Sequence, residues 1–102
     1  MLEGARFAGV ARTLPHFHLV SLGPYPAMIR GGNTAVLGEL YVIDEARIPE
    51  LDDFEGHPEL YQRCSITLEG GAEAETYVLP AELGEGKPAL VSGDWRKENG
   101  RR

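Results

Sequence analysis

The stretch LDDFEGHPELYQR, Leu51–Arg63, decides how the chain is read, because it closes a helix and opens a strand in one short run. Just upstream, Pro49 suits a first helical turn, where its missing N–H costs nothing. Ile48, Leu51 and Glu55 recur at i, i+3 and i+7, with Phe54 beside them, so one face is apolar up to its last member. Asp52 and Asp53 are expected to point the other way, to solvent. Gly56 can take the left-handed position that ends a helix, and Pro58 prevents its renewal. The glutamate is the anomaly. On a buried stripe its carboxylate is desolvated, and in the last turn it meets the negative end of the helix dipole; both disfavour ionisation. A carboxyl pushed towards neutrality suits general acid/base work at a pH near ~7. The bland alternative is a frayed helix end, with Glu55 turned outward or paired with Arg63 or Arg47. From the residues alone that alternative stays open, because one acid at a helix end is a weak signal.

Around this helix the chain reads as strands. Ala5–Leu14 is ended by Pro15, and His16–Leu22 by the turn signal Gly23–Pro24. Tyr25–Arg30 is a short extended piece before Gly31–Gly32–Asn33 turns the chain back. Thr34–Asp44 is the strongest strand. It carries Leu37, Tyr41 and Ile43 on one face and Val36, Leu40 and Val42 on the other, which predicts a central or barrel strand. Leu60–Glu69 and Ala74–Pro80 pair as a hairpin across Gly70–Gly71, and Ser92–Glu98 allows a short turn around Trp95. Thirteen glycines and seven prolines punctuate these short apolar runs, the habit of a turn-rich β domain. The predicted class is α+β: a small barrel or curled sheet of about five strands with one or two short helices. The 102 residues suffice for one core, assigned to 1–96, with 97–102 as a solvated tail.

The formal net charge of −6 argues against a nucleic-acid or anionic-membrane surface, which needs clustered Lys and Arg. The one basic cluster, RKENGRR, lies in the tail. No apolar run approaches ~18 residues, and the start lacks the order of a signal peptide. Cys64 is the single cysteine, so a reducing compartment fits, and the chain reads as soluble and cytoplasmic. His16 and His18 share a strand face, and His57 and Cys64 could approach them, but the spacing is no zinc signature. A Cys/His hydrolase reads poorly too, since Cys64 lies in an apolar strand without an adjacent base.

The pattern Leu51, Asp52, Glu55, Gly56, Pro58, Tyr61 and Arg63 resembles the Leu-Asp-x-x-Glu-Gly-x-Pro-x-x-Tyr-x-Arg signature of the γ-glutamylcyclotransferase-like (AIG2-like) family. LGPYPAM (Leu22–Met28), GELYVID (Gly38–Asp44) and SGDWR (Ser92–Arg96) agree with it in order. The resemblance implies a six-stranded mixed barrel with flanking helices around a polar cavity. It also implies a reaction without water, in which the α-amine of a γ-glutamyl amide attacks its own γ-carbonyl, closes 5-oxoproline and expels an amine or amino acid. Glu55 would be the general acid/base, and no metal or cofactor is needed. Gly23, Pro24, Tyr25 and Pro26 resemble the loop at the cavity mouth, an ordinary proline turn being the alternative. Tyr61 joins Gly23, Pro24 and Tyr25 as a substrate-binding candidate, although ring packing, with Arg63 paired to an acid, reads equally well. Trp95 is expected to cover a barrel end.

One element of the family pattern is not in this sequence: a first strand leading into a Tyr-Gly-[Ser/Thr]-Leu loop, whose backbone amides grip the substrate's α-carboxylate. Met1-Leu2-Glu3-Gly4 resembles the segment that follows that loop. The expectation is therefore a barrel lacking its first strand, with exposed edges that invite a second copy into a homodimer. Two classes of function follow. One is an enzyme acting on a γ-glutamyl amide. The other is a non-catalytic barrel that binds a small molecule or a protein.

Overall fold

The computed structural model describes residues 5–99. Six strands occur: β1 (Arg6–Arg12), β2 (Phe17–Ser21), β3 (Pro26–Arg30), β4 (Leu37–Val42), β5 (Gln62–Thr67) and β6 (Glu73–Val78). Three helices join them: α1 (Ile48–Glu55), α2 (Ala81–Gly84) and α3 (Trp95–Asn99). The α+β class stands, with short helices and antiparallel ladders. β1 pairs with β4, β2 with β3, and β5 with β6. The ladders are stitched together by shorter contacts. Thr13 bridges Leu68, and Phe17 bridges Thr34. The Leu79 N–H donates to the Met28 carbonyl at 2.8 Å. Taken in order these links run β4–β1–β5–β6–β3–β2, and the bridge to Thr34, three residues before β4, turns the order back on itself around the core, three two-stranded ladders rather than one closed sheet.

That core has two parts. Phe17, Leu19, Val36, Ile66, Leu68, Val78 and Leu90 form the larger cluster, against which Trp95 packs. Val20, Ala27, Ile29 and Leu79 form the smaller, with Tyr61 and Leu22 at its margin. β2 sends Phe17 and Leu19 to the first cluster and Val20 to the second, and β3 splits Met28 and Ile29 likewise. Each buried aliphatic or aromatic side chain contributes ~1.5–3 kcal/mol, so this ladder anchors the domain.

The two-faced strand is thus β2, not the Thr34–Asp44 run that was expected to be central. β4 spans only Leu37–Val42 and forms its ladder with β1. Its Leu40 reaches the larger core, but Tyr41 and Val42 are exposed, and Tyr41 packs edge-on to Phe7, which is exposed too. Alternating apolar residues report pairing potential on both faces, and here the ribbon simply outruns the core. α3 runs from Trp95 to Asn99, across the expected boundary at residue 97, while 100–102 and the Met1–Gly4 segment lie outside the described residues.

α1 forms where the sequence places it. A 3₁₀ turn, Glu45–Arg47, capped by the Asp44 side chain, leads into it, and Pro49 occupies the first turn. Gly56 ends it at φ +74°, and its N–H bonds back to the Asp52 and Asp53 carbonyls. The helix buries no residue completely, Leu51 and Glu55 being half-buried and Phe54 67% exposed. It is a covering helix, held by polar ties as much as by its apolar stripe.

Candidate active site

Four elements converge beside the smaller core. From the β2–β3 turn comes Tyr25, whose carbonyl accepts from the Leu22 N–H at 2.9 Å. The last turn of α1 brings Phe54 and Glu55, the entry to β5 brings Tyr61, and β6 brings Thr76 and Tyr77. Together with Leu19, Pro26, Ala27 and Met28 they line a cavity of about 610 Å³. The chain reverses tightly between its two central side chains. The Leu60 N–H donates to the Gly56 carbonyl at 2.8 Å, and the Tyr61 N–H to the Glu55 carbonyl at 3.3 Å. That turn is why residues six apart in sequence face one space.

Glu55 is the carboxylate of this wall. Among the described residues no side chain makes an ion pair or hydrogen bond with it, neither Arg63 nor Arg47, which are engaged elsewhere. Burial lifts its carboxyl above the ordinary value of 4.5. The Tyr61 phenol is raised as well, first by burial and then by the neighbouring Tyr25 and Glu55. Tyr77 is raised further, by burial first and then by the Asp52 carboxylate that its hydroxyl donates to.

Asp52 corrects an expectation. Predicted to face solvent, it is half-buried, because α1 lies with that face against the β5–β6 hairpin. Arg63 Nε donates to Asp52 Oδ1 at 2.8 Å and Nη2 to Oδ2 at 3.2 Å, the bidentate fork that suits a guanidinium. The Tyr77 hydroxyl donates to the same Oδ1 at 2.7 Å. Arg63 Nη1 reaches Glu75 at 2.8 Å, and Glu75 also accepts from Ser65 Oγ at 2.7 Å. The Arg63 hydrogen bond, followed by that of Tyr77, holds the Asp52 carboxyl below its ordinary 3.8. His57 joins through its ring, Nδ1 accepting from the Arg63 N–H at 3.0 Å.

Three of the five candidate residues, Glu55, Tyr25 and Tyr61, meet in the cavity. Gly23 and Pro24 stand outside its wall, in the turn that carries Tyr25, where the Gly23 N–H donates to Ser21 Oγ at 3.1 Å. Sequence reasoning missed Tyr77, Thr76 and Met28. Arg63 was legible as a partner for some acid, but nothing local identified that acid as Asp52, since strand and helix meet only in three dimensions. Among the described residues no three His, Cys, Asp or Glu side chains come close enough together to hold a metal ion. No helix among them is long and apolar enough to cross a membrane.

A small antiparallel α+β fold with a side cavity walled by tyrosines and by a carboxylate without a side-chain partner among the described residues defines the class. Its family is then given by comparison. The sequence profile described as Gamma-glutamyl cyclotransferase, AIG2-like matches residues 1–97, and the chain belongs to that family. The Gamma-glutamylcyclotransferase family protein YtfP of Escherichia coli K12 is 37% identical over 84 residues, which cover 81% of this chain and 71% of that protein. The gamma-glutamylaminecyclotransferase of Rattus norvegicus is 39% identical over 68 residues, 63% of this chain and 46% of that longer protein. A uropathogenic E. coli-specific protein known from its crystal structure superposes with a TM-score of 0.82 at 29% identity, covering 97% of this chain and 80% of its own.

Proposed function

We propose that this chain cyclises a γ-glutamyl amide to 5-oxoproline, with Glu55 carrying the proton. Family membership and the names of the relatives support the reaction class. The observation that carries the assignment to Glu55 is its place in the cavity wall, half-buried and without a partner among the described residues. A carboxylate tied to a cation is a poor base. One raised by desolvation holds a proton closer to the pH at which it must accept and return it.

The substrate's α-nitrogen bonds to its own γ-carbonyl carbon, and the amide C–N bond on that carbon breaks. The Glu55 carboxylate takes a proton from the attacking nitrogen and returns it to the departing one. The exchange consumes no water and is redox-neutral. Because nucleophile and electrophile share one molecule, the protein has to fold the substrate into attack geometry and move one proton. Tyr25 and Tyr61 hold polar substrate atoms in this reading, which their place in the cavity lining supports, with Leu19, Ala27 and Met28 as the apolar wall. Gly23 and Pro24 act through the turn that presents Tyr25.

The test is 5-oxoproline release from a panel of γ-glutamyl amides by the wild-type chain and Glu55→Gln. The expected result is release by the wild type and a loss of about 10²–10⁴-fold in the variant. Folded wild-type protein that releases none from any amide would overturn the enzymatic reading and leave a binding member of the family.

A further inference from the structure

Arg63 poses a problem that its position sharpens. Asp52 and Glu55 stand three apart on α1, so their side chains are helical neighbours, with Cβ atoms ~5–6 Å apart. The guanidinium that grips Asp52 is therefore bound to the helical neighbour of Glu55, and the Tyr77 phenol senses both acids and the cation. Yet the fork is committed to Asp52 through Nε and Nη2, and to Glu75 through Nη1. Tyr77 completes the arrangement, since its hydroxyl donates to Asp52 while it also lines the cavity with Glu55.

We propose that Asp52 is a positioning residue that sequesters Arg63, so that Glu55 stays the cavity's free carboxylate. This rests on Glu55 as the proton carrier. Without a carboxylate at position 52, Arg63 would keep its Glu75 contact, turn Nε and Nη2 towards Glu55 and quench it as an ion pair. The tie from Tyr77 to Asp52 then has a second use, because it fixes the phenol that flanks Glu55. Glu75, itself held by the Ser65 hydroxyl, grips the guanidinium from the outer side, so one helix carboxylate and one strand carboxylate keep the cation away from the cavity.

The experiment reads Glu55 directly. Its carboxyl carbon is followed by NMR through a pH titration in wild type, Asp52→Asn, Arg63→Met and the double variant, and pH–rate profiles are recorded for each. The titratable groups that share the cavity wall with Glu55 are Tyr25 from the β2–β3 turn, Tyr61 before β5 and Tyr77 on β6, and Asp52 is its neighbour on the helix, turned to the β5–β6 hairpin. Arg63, His57 and Glu75 form the next ring, and all but Asp52 and Arg63 remain the same throughout. In Asp52→Asn the Glu55 midpoint is expected to fall by about 1–3 units, as for a carboxylate that gains a cation. Turnover should drop by up to about tenfold per unit, since a weaker base accepts its proton less readily. Removing Arg63 as well should return the midpoint to the wild-type range and restore much of the rate. A device that merely braced the helix would lower the rate without moving the midpoint, and the double variant would be worse than either single one.

An unchanged Glu55 midpoint in Asp52→Asn overturns the proposal, as does a fall that persists without Arg63. Should Asp52→Asn fail to fold, Asp52→Ser carries the same test, with the same fall in the Glu55 midpoint expected and an unchanged midpoint overturning the proposal. In Arg63→Met, Asp52 becomes an uncompensated like charge one turn from Glu55, so a fall of the midpoint there also contradicts the account. The NMR midpoints need no turnover. A chain that released no 5-oxoproline would refute the cyclotransferase reading while leaving the sequestration of Arg63 to be judged separately.

Discussion

Two carboxylates on one helix, three residues apart, have opposite surroundings. Asp52 accepts two bonds from Arg63 and one from Tyr77, and its carboxyl is held below the ordinary range. Glu55 has no such partner among the described residues, and burial holds its carboxyl above it. Sequence spacing makes them neighbours; what the strands bring to each makes them different. The β5–β6 hairpin delivers a cation and a phenol to Asp52, whereas the β2–β3 turn and the entry to β5 deliver tyrosines to Glu55. The lesson is that two acids three residues apart on one helix differ because the guanidinium and the phenol are both bound to Asp52 and neither to Glu55.

The largest expected way to break the comparison is Glu55→Gln, with its loss of about 10²–10⁴-fold in 5-oxoproline release. The same substitution should raise Tm at pH 7, for a reason whose sign is definite. A carboxyl whose folded value is raised above 4.5 favours the fold while protonated, and that contribution is lost as pH rises through the folded value. The gain of the glutamine variant therefore vanishes as the pH falls below about 4.5. Asp52 should behave in reverse. Its depressed carboxyl stabilises the fold above 3.8 and loses that effect as pH falls through the folded value. Asp52→Asn is expected to lower Tm at pH 7, with the gap closing in acid. Thermal melts of both variants from pH 3 to pH 8 check the crossing slopes.

A smaller effect is expected from Tyr77→Phe. It deletes one donor to Asp52 and leaves the ring in the cavity wall, so chemical denaturation should register a loss of ~1 kcal/mol. Smallest of all is Tyr25→Phe. The ring is 55% exposed at the cavity rim, and a change there should stay within ~0.5 kcal/mol of wild-type stability. Any effect of that substitution on KM would then report contact with substrate rather than folding.

The sequence carried the helix and its end well, because Pro49, Gly56 and Pro58 are local signals with local causes. Strand positions followed for the same reason, their turns being marked by Gly23–Pro24, Gly31–Gly32 and Gly70–Gly71. Burial did not follow. Leu37, Tyr41 and Val42 read like a central strand, yet Tyr41 and Val42 are exposed on a ribbon that outruns the core. Asp52 read as solvated because a helical wheel cannot show which hairpin will pack on its far side. At the site, Glu55 stood out as a misfit on an apolar stripe, and Tyr61 came with it through the adjoining motif. Tyr77 and Met28 gave no such sign, being ordinary members of strands whose roles arise only when β3 and β6 close on α1.

The most direct measurement is the carboxyl NMR titration of the wild-type chain itself, with Asp52 and Glu55 resolved in one experiment. The account expects Asp52 to titrate below 3.8 and Glu55 above 4.5, the tied acid and the free one. Glu55 titrating at or below the ordinary value would contradict it, since a carboxylate already paired with a cation cannot be the proton carrier of this cavity.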